Sequence, residues 1–457
     1  MATKIDRRTF LKLAGIGGGS IVAGNVLSAC QPTPTPTAAA AATAPAAAAT
    51  APAAAAATAV PTTLPYAGET IHLLSHPVFE ALYPPFSKFK ELTGIDLVYE
   101  GVPFPGITDK TALELASGSS AYDVMTLADQ WINLDMLTTV QPQDELLAAS
   151  PVEDPEGVPR GLIEMNTING KMWGWENRTG AFILVYRKDL YEQKGLSIPK
   201  SFTQLRENAV ALNDPPNMYG FFIQGSPDGW ACDDWVNTLF NFGGSILSDD
   251  YKVCVLDSPQ AMAATKFWLE WAEQKLVPPG SATQDYSDQI TSMQQGLVAQ
   301  AITYSPYVVP IEDPAASKTK GMWGYAVVPV AEDSGLSHSS THMSGWTCVI
   351  PKGSKHHGAA WEWIKWHTNP ENDLYMAMRG NGPVRSSTFA SAEYQAVNPA
   401  GPIISEALAY GRAPLPPVKK KSEIGLAIAA ELSACVAGQK NYSDVLLGLK
   451  EKIDGML

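Results

Sequence analysis

From residue 70 onward, short apolar runs alternate with stretches whose apolar residues recur at helical spacing, and that alternation restricts the chain to α/β architectures. Thr70-Ile71-His72-Leu73-Leu74-Ser75 reads as a short buried strand. Residues 78–92 put Phe79, Leu82, Tyr83, Phe86 and Phe89 at helical spacing; Pro84-Pro85 should kink or split this helix, and Thr93-Gly94 should stop it. Ile95-Asp96-Leu97-Val98-Tyr99 is the next strand, residues 108–117 a helix closed by Gly118, and Tyr122-Asp123-Val124-Met125-Thr126-Leu127 a third strand. The pattern resumes after residue 180. A strand is expected at 182–186, then a helix at 201–212 with Ser201 as its cap and Gln204 in capping-box spacing. A strand at 219–224 and a helix at 258–274, carrying Phe267, Trp268 and Trp271, complete the series. Such alternation predicts a mainly parallel sheet with covered faces, whose ligands sit beyond the carboxyl ends of the strands. Two such units side by side enclose a cleft, the default ligand site.

The first 65 residues carry none of this pattern. Lys4, Arg7, Arg8 and Lys12 make a positive start, and a weakly apolar run over residues 13–27 follows, diluted by Gly15, Gly17, Gly18, Gly19 and Gly24. It ends in Leu27-Ser28-Ala29-Cys30 and is too short and glycine-rich to span a bilayer well. Asp6-Arg7-Arg8-Thr9-Phe10-Leu11-Lys12 resembles a twin-arginine export signal, and the residues up to Cys30 resemble a bacterial lipoprotein cleavage site. That resemblance implies a signal over residues 1–30, with Cys30 as the lipidated first residue of the mature chain. An internal helix with a buried cysteine is the competing reading. Residues 31–65 are uncharged and almost entirely Ala, Thr and Pro. Prolines at 32, 34, 36, 45, 52, 61 and 65 interrupt any alanine helix, and the segment offers little to bury against its ordering entropy. As a disordered tether it could reach on the order of 100 Å from a membrane; filler without a role is the alternative.

Charge narrows the function further. The formal net charge is −14, and the first thirty residues hold four positive charges and one negative, so the body sits at about −17. An acidic surface without a basic stripe argues against nucleic-acid partners. Lys419-Lys420-Lys421 is the one positive run and reads as a solvated turn after Pro416-Pro417. Beyond Cys30 the cysteines are Cys232, Cys254, Cys348 and Cys435, in no CxxC or CxxxC pair. Export would permit a disulfide, with Cys232 and Cys254 closest in sequence, but four cysteines allow three pairings and buried thiols remain open. His338 and His342 have metal-ligand spacing yet lie in a Ser/Gly/Thr loop, so solvated histidines are expected and no metal. The chain holds no GxSxG, P-loop or HExxH, and therefore no catalytic residue or cofactor is nominated.

The order of local patterns resembles family 1 extracellular solute-binding proteins, the receptors of carbohydrate ABC importers. Phe86-Ser87-Lys88-Phe89-Lys90-Glu91-Leu92-Thr93-Gly94-Ile95 is similar to that family's first helix and turn. Ala116-Ser117-Gly118, Tyr122-Asp123-Val124 and Tyr186-Arg187-Lys188-Asp189-Leu190-Tyr191 follow in order. Gln295-Gly296-Leu297-Val298-Ala299, Ser344-Gly345-Trp346-Thr347 and Gly382-Pro383-Val384-Arg385 extend the match over roughly residues 70–390. The resemblance implies a two-lobed periplasmic-binding-protein-like fold with a hinge and an inter-lobe cleft. Lobe 1 is expected at 66–177 plus about 324–378, and lobe 2 at about 178–323 plus 379–457. It further implies a monomer, held outside the cytoplasmic membrane by its lipid, that closes on a sugar or polyol and delivers it to ABC permease subunits.

All twelve tryptophans fall between residues 131 and 366. An aromatic face suits the C–H face of a sugar, while carboxylates, amides and guanidinium groups suit its hydroxyls. Such residues stand together at Asp129-Gln130-Trp131, at Trp175-Glu176, at Trp230, at Tyr304 and Tyr307, at Gly345-Trp346, and at Asn381 and Arg385. The family resemblance supports Asp129, the two tyrosines and Gly345-Trp346 as cleft residues. Trp268, Trp271, Trp361, Trp363 and Trp366 lie on expected helices and read mostly as core, and Trp323 beside Tyr325 as strand packing. A secreted glycoside hydrolase is the alternative function, although no carboxylate pair stands out for it. A third reading keeps the fold and changes the cargo to a polyamine, an iron complex or a phosphorylated polyol.

Overall fold

Strand β1 (Thr70–Ser75) alternates exposed and buried positions at its start and is fully buried by its end. It pairs in parallel with β2 (Asp96–Gly101) on one side and β3 (Val124–Ala128) on the other. The computed structural model describes residues 64–103, 106–128 and 132–457; the signal with Cys30, the tether up to residue 63, and Asp129, Gln130 and Trp131 lie outside the described residues. The helix expected over 78–92 is broken where Pro84-Pro85 forbids a continuous ladder. A short 3-10 turn, Pro77–Phe79, precedes helix α1 (Phe86–Thr93). Gly94 ends α1 at φ 73°, a left-handed backbone that glycine adopts without a Cβ penalty. Helix α2 (Gly106–Ser117) returns the chain to β3.

A short hairpin of β4 (Thr167–Ile168) and β5 (Lys171–Met172) leads into β6 (Trp175–Arg187), the thirteen-residue strand on which the molecule turns. Its first half pairs antiparallel with β9 (Met343–Val349), from Trp175↔Cys348 to Ala181↔Met343, and β9 also pairs with β3. Its second half pairs with β7 (Gln300–Tyr304) and β8 (Trp323–Ala326). One strand therefore belongs to both lobes. The side chains of β6 obey the two-residue period: Phe182, Leu184 and Tyr186 enter one core, while Ala181, Ile183 and Val185 enter another. The sheet is mixed: among its strands β1, β2 and β3 pair in parallel, while every pairing of β6 and β9 is antiparallel. The mainly parallel sheet expected from the alternation is corrected accordingly.

The second lobe is built by helices α3 (Phe202–Leu212), α4 (Trp230–Asn241), α5 (Pro259–Glu273) and α6 (Tyr286–Gln295). Ser201 caps α3 through Gln204 N, but the Gln204 side chain accepts from Lys200 N instead of closing a capping box. Residues 219–224 make only isolated parallel bridges, Tyr219↔Val298 and Phe222↔Ala301, in place of a regular strand. Trp235, Trp268 and Trp271 are buried in this core, and Trp271 stacks on Phe221 at 4.1 Å. The first lobe buries Phe89, Trp361 and Trp363 with α7 (His357–His367), and Trp323 joins Ala181, Ile183 and Val185 in the cluster on the other face of β6.

Segments distant in sequence share these cores. Trp323, Ala326, Val328 and Ala331 pack in the same clusters as the second half of β6. Val384 packs in the first lobe's core, and Phe389 joins Ala181 and Ile183 of β6. Three segments thus cross side by side. Phe182 N donates to His342 O (3.1 Å), Thr179 N to Gly382 O (3.2 Å), and Ala181 N to Ser305 Oγ (3.3 Å). Gly180 lies at the crossing, where a Cβ would come within 2.6 Å of Pro306 Cδ. Helices α8 (Pro370–Ala377), α9 (Lys421–Val436) and α10 (Tyr442–Asp454) complete the described chain.

Cys232, Cys254, Cys348 and Cys435 are free and buried, each with its thiol pushed up in pKa chiefly by burial. His338 is exposed and stacks on Tyr410 at 3.8 Å, whereas His342 is buried against Phe182 at 5.2 Å, because it sits at the lobe crossing and not in a free loop. Lys419 and Lys420 are exposed, but Lys421 opens α9 and is buried. No helix among the described residues is long and apolar enough to cross a membrane.

Candidate ligand-binding cleft

The crossing segments form the floor of a cleft of about 1110 Å³ between the lobes. The first lobe contributes His76 and Phe79, from the turn after β1, and Trp346 from β9. Trp346 sits edge-on to Phe79 at 4.9 Å, and β9 sets it directly opposite Ala128, the last residue of β3. The carboxyl end of a central strand thus opens here, as the sheet geometry requires.

The second lobe contributes an aromatic ladder. Trp230 begins α4, Tyr286 begins α6, Tyr304 ends β7 and Tyr307 ends the 3-10 turn that follows it. Ring centres run Trp230 to Tyr286 at 4.8 Å, Tyr286 to Tyr307 at 5.4 Å, and Tyr307 to Tyr304 at 5.4 Å. The Tyr304 hydroxyl donates to Ser344 O at 3.0 Å, tying this ladder to β9. On the floor Arg178 of β6 places its guanidinium 5.7 Å from the Phe79 ring centre and 5.8 Å from that of Tyr304. A register shift between Glu176 and Arg178 re-aims the strand at this point. His76 has its pKa lowered by burial first and by the Arg178 charge second, so it is neutral near pH 7.

Trp230, Tyr304, Tyr307 and Trp346, all nominated from sequence, line this cleft. Gly345 is beside it on β9, where a Cβ would land on Glu176 Oε1. Four other nominated residues belong to the framework. Trp175 is buried edge-on to Trp361 at 6.2 Å in the first lobe's core. Glu176 accepts from Asn166 Nδ2 (2.8 Å) and Thr347 Oγ1 (2.9 Å), because the bulged strand turns it into the lobe. Asn381 donates to Asn177 O (2.9 Å) across the hinge. Arg385 is fully buried and donates to Thr368 O (2.6 Å) and Asp154 O (2.7 Å).

Sequence reasoning missed His76, Phe79, Arg178 and Tyr286. Phe79 reads as helical core by spacing, and Arg178 reads as a loop residue until residues 175–187 are recognised as one strand. Tyr286 carried a usable signal, since Asp285 caps α6 in capping-box spacing with Asp288 and puts the next residue at a helix start.

The bacterial extracellular solute-binding protein family profile matches residues 75–373. The erythritol/L-threitol-binding protein of Mycolicibacterium smegmatis is 26% identical over 417 residues, covering 84% of this chain and 82% of that protein. A probable amino-acid ABC transporter periplasmic-binding protein of Sinorhizobium fredii is 24% identical, covering 86% and 90% respectively. Among solved structures, a solute-binding protein from Agrobacterium radiobacter in complex with ribitol superposes with a TM-score of 0.78 at 24% identity, covering 86% of this chain and all of that one. Maltose-bound MalE3 of T. maritima superposes at 0.76 with 22% identity, covering 85% and 100%. With two α/β lobes sharing β6, an aromatic-walled cleft at their junction and the family profile over most of its length, this chain belongs to the bacterial extracellular solute-binding proteins.

Proposed function

We propose that this chain is the capture receptor of an ABC importer, that its ligand is a sugar or polyol, and that closure of the two lobes presents the loaded form to a membrane permease. The observation that carries this reading is the pair of facing walls, Phe79 and Trp346 from one lobe and the Trp230–Tyr286–Tyr307–Tyr304 ladder from the other. A ligand gripped by both walls favours the closed state, whereas one touching a single lobe shifts nothing however tightly it binds. Micromolar capture corresponds to about −8 kcal/mol, within reach of a few stacked rings plus hydroxyl contacts. Relatives named for erythritol, L-threitol and mannitol support the polyol class. Calorimetry across alditols, monosaccharides and maltose tests the reading. Binding of at least one of them, weakened in Tyr286→Ala and Trp230→Ala, is expected; absence of heat and of thermal shift with every compound would reject it.

The receptor reading makes the chain non-catalytic. Hydrolysis of a glycosidic bond would need two carboxylates flanking it. Glu312 and Asp313, which line the cleft, are chain neighbours, with Glu312 accepting from Tyr325 Oη and Asp313 from Ala315 N. Incubation with oligosaccharides followed by product analysis would expose any turnover. The export reading extends the proposal: cleavage before Cys30, lipidation of that residue, a monomeric receptor and an anchored position outside the cytoplasmic membrane. Cys30→Ala should move the protein from the detergent phase to the aqueous phase on partitioning, and an unchanged distribution would reject the anchor.

A further inference from the structure

Each of the other buried or half-buried arginines among the described residues has at least one partner in the fold: Arg187 pairs with Asp189 at 2.6 Å, Arg206 with Glu270 and Arg385 with two backbone carbonyls, although Arg206 Nε and Arg385 Nη2 are left unmatched. Arg178 has none among the described residues. Its Nε is sealed from solvent without a hydrogen-bond partner, and the guanidinium takes part in no ion pair among the described residues. The rings of Phe79 and Tyr304 flank it from both lobes, but an aromatic face offers a cation only weak attraction and cannot satisfy five directed donors. Of the second lobe's carboxylates, Glu312 accepts from Tyr325 Oη and Gly321 N, both at 2.6 Å, and Asp233, whose Oδ1 lies 3.8 Å from His342 Nδ1, forms no ion pair with Arg178.

A half-buried cation without a counter-charge is costly, and the cost is removed when the ligand supplies one. A neutral hydroxyl would fill a donor but leave the charge uncompensated. A carboxylate does both, and its planar oxygens match the guanidinium fork. We propose that the cleft selects polyhydroxylated acids, of the aldonate or uronate class, with Arg178 binding the carboxylate while the aromatic walls cover the carbon chain. This rests on the receptor reading above and specifies its ligand class.

The test is calorimetry of the protein with gluconate and galactonate beside the neutral alditols glucitol and galactitol. Each acid should bind about tenfold or more tightly than its neutral counterpart, the advantage of a charge-assisted pair over a neutral one. Arg178→Gln should level acid and alditol to within about threefold, and Arg178→Lys should keep part of the preference. The ranking of ligands by the unaltered protein decides the matter even if a variant does not fold. Alditols binding as tightly as the acids would overturn the acid proposal and leave the polyol receptor standing. Failure of all four compounds to bind would overturn the acid proposal, and the sugar and polyol reading falls with it only if the wider panel of monosaccharides and maltose is also silent.

Discussion

Arg178 and Arg385 stand on neighbouring crossing segments and differ in how far their donors are matched, since Arg385 leaves Nη2 without a partner while Arg178 makes no side-chain hydrogen bond among the described residues. Arg385 is fully buried, with its Nε and Nη1 given to Thr368 O and Asp154 O and its charge beside the buried Asp373. Arg178 keeps its guanidinium between two rings at the cleft floor, with its Nε unmatched. One arginine ties backbone segments together, and the other has no ion pair among the described residues. The contrast teaches that partner satisfaction, more than residue type, separates framework from site in this molecule.

The comparison breaks first at Arg385. Arg385→Ala strands the buried Thr368 carbonyl and the half-buried Asp154 carbonyl and removes the positive neighbour of Asp373, so unfolding in urea should show a loss of about 3–5 kcal/mol. A loss below about 1 kcal/mol would mean that Arg385 is no structural tie. Its buried neighbour sharpens the point through pH. Burial pushes the Asp373 carboxyl up to about 6, against hydrogen bonds from Thr388 Oγ1 and Val384 N. Because folding raises this pKa, the stabilising share is complete below about pH 4 and is lost as pH rises through about 6, at most about 3 kcal/mol. Stability curves of the native protein and Asp373→Asn should therefore diverge across that window, with the native protein losing ground as pH rises; parallel curves would refute the assignment.

On the cleft side the expected effects move from stability to affinity. Trp346→Ala removes a ring of the first lobe's wall and should weaken ligand binding by roughly 2 kcal/mol, about thirtyfold, with a modest fall in Tm. Unchanged affinity by calorimetry would take Trp346 out of the site. The smallest expected effect belongs to Glu176, nominated from sequence for the ligand and placed by the structure against Asn166 and Thr347. Glu176→Gln should lower stability by about 1 kcal/mol and leave affinity alone. A large affinity loss with intact stability would return Glu176 to the cleft.

Much of this fold was legible because its elements are local. β1 spans the residues its apolar run marked, and α3 and α5 begin after the caps Ser201 and Ser258. β6 was read only from Phe182 onward, since Glu176, Asn177, Arg178 and Thr179 look like a polar loop. They are strand because β9, more than 160 residues away, supplies their backbone partners. Within the site, aromatic residues after strands or at helix starts were readable at Trp230, Tyr304, Tyr307 and Trp346, whereas Trp175 has the same local character and is core.

What the sequence determined by itself is the α/β alternation, the division into two units and the pool of rings and charges from which a cleft could be lined, because periodicity and capping are properties of neighbouring residues. The tertiary structure decided which members of that pool face the cleft. Trp346 faces it and Trp361 does not, and Arg178 is unmatched where Arg385 is tied, because burial and hydrogen-bond partners come from segments brought together only when β6 and β9 cross.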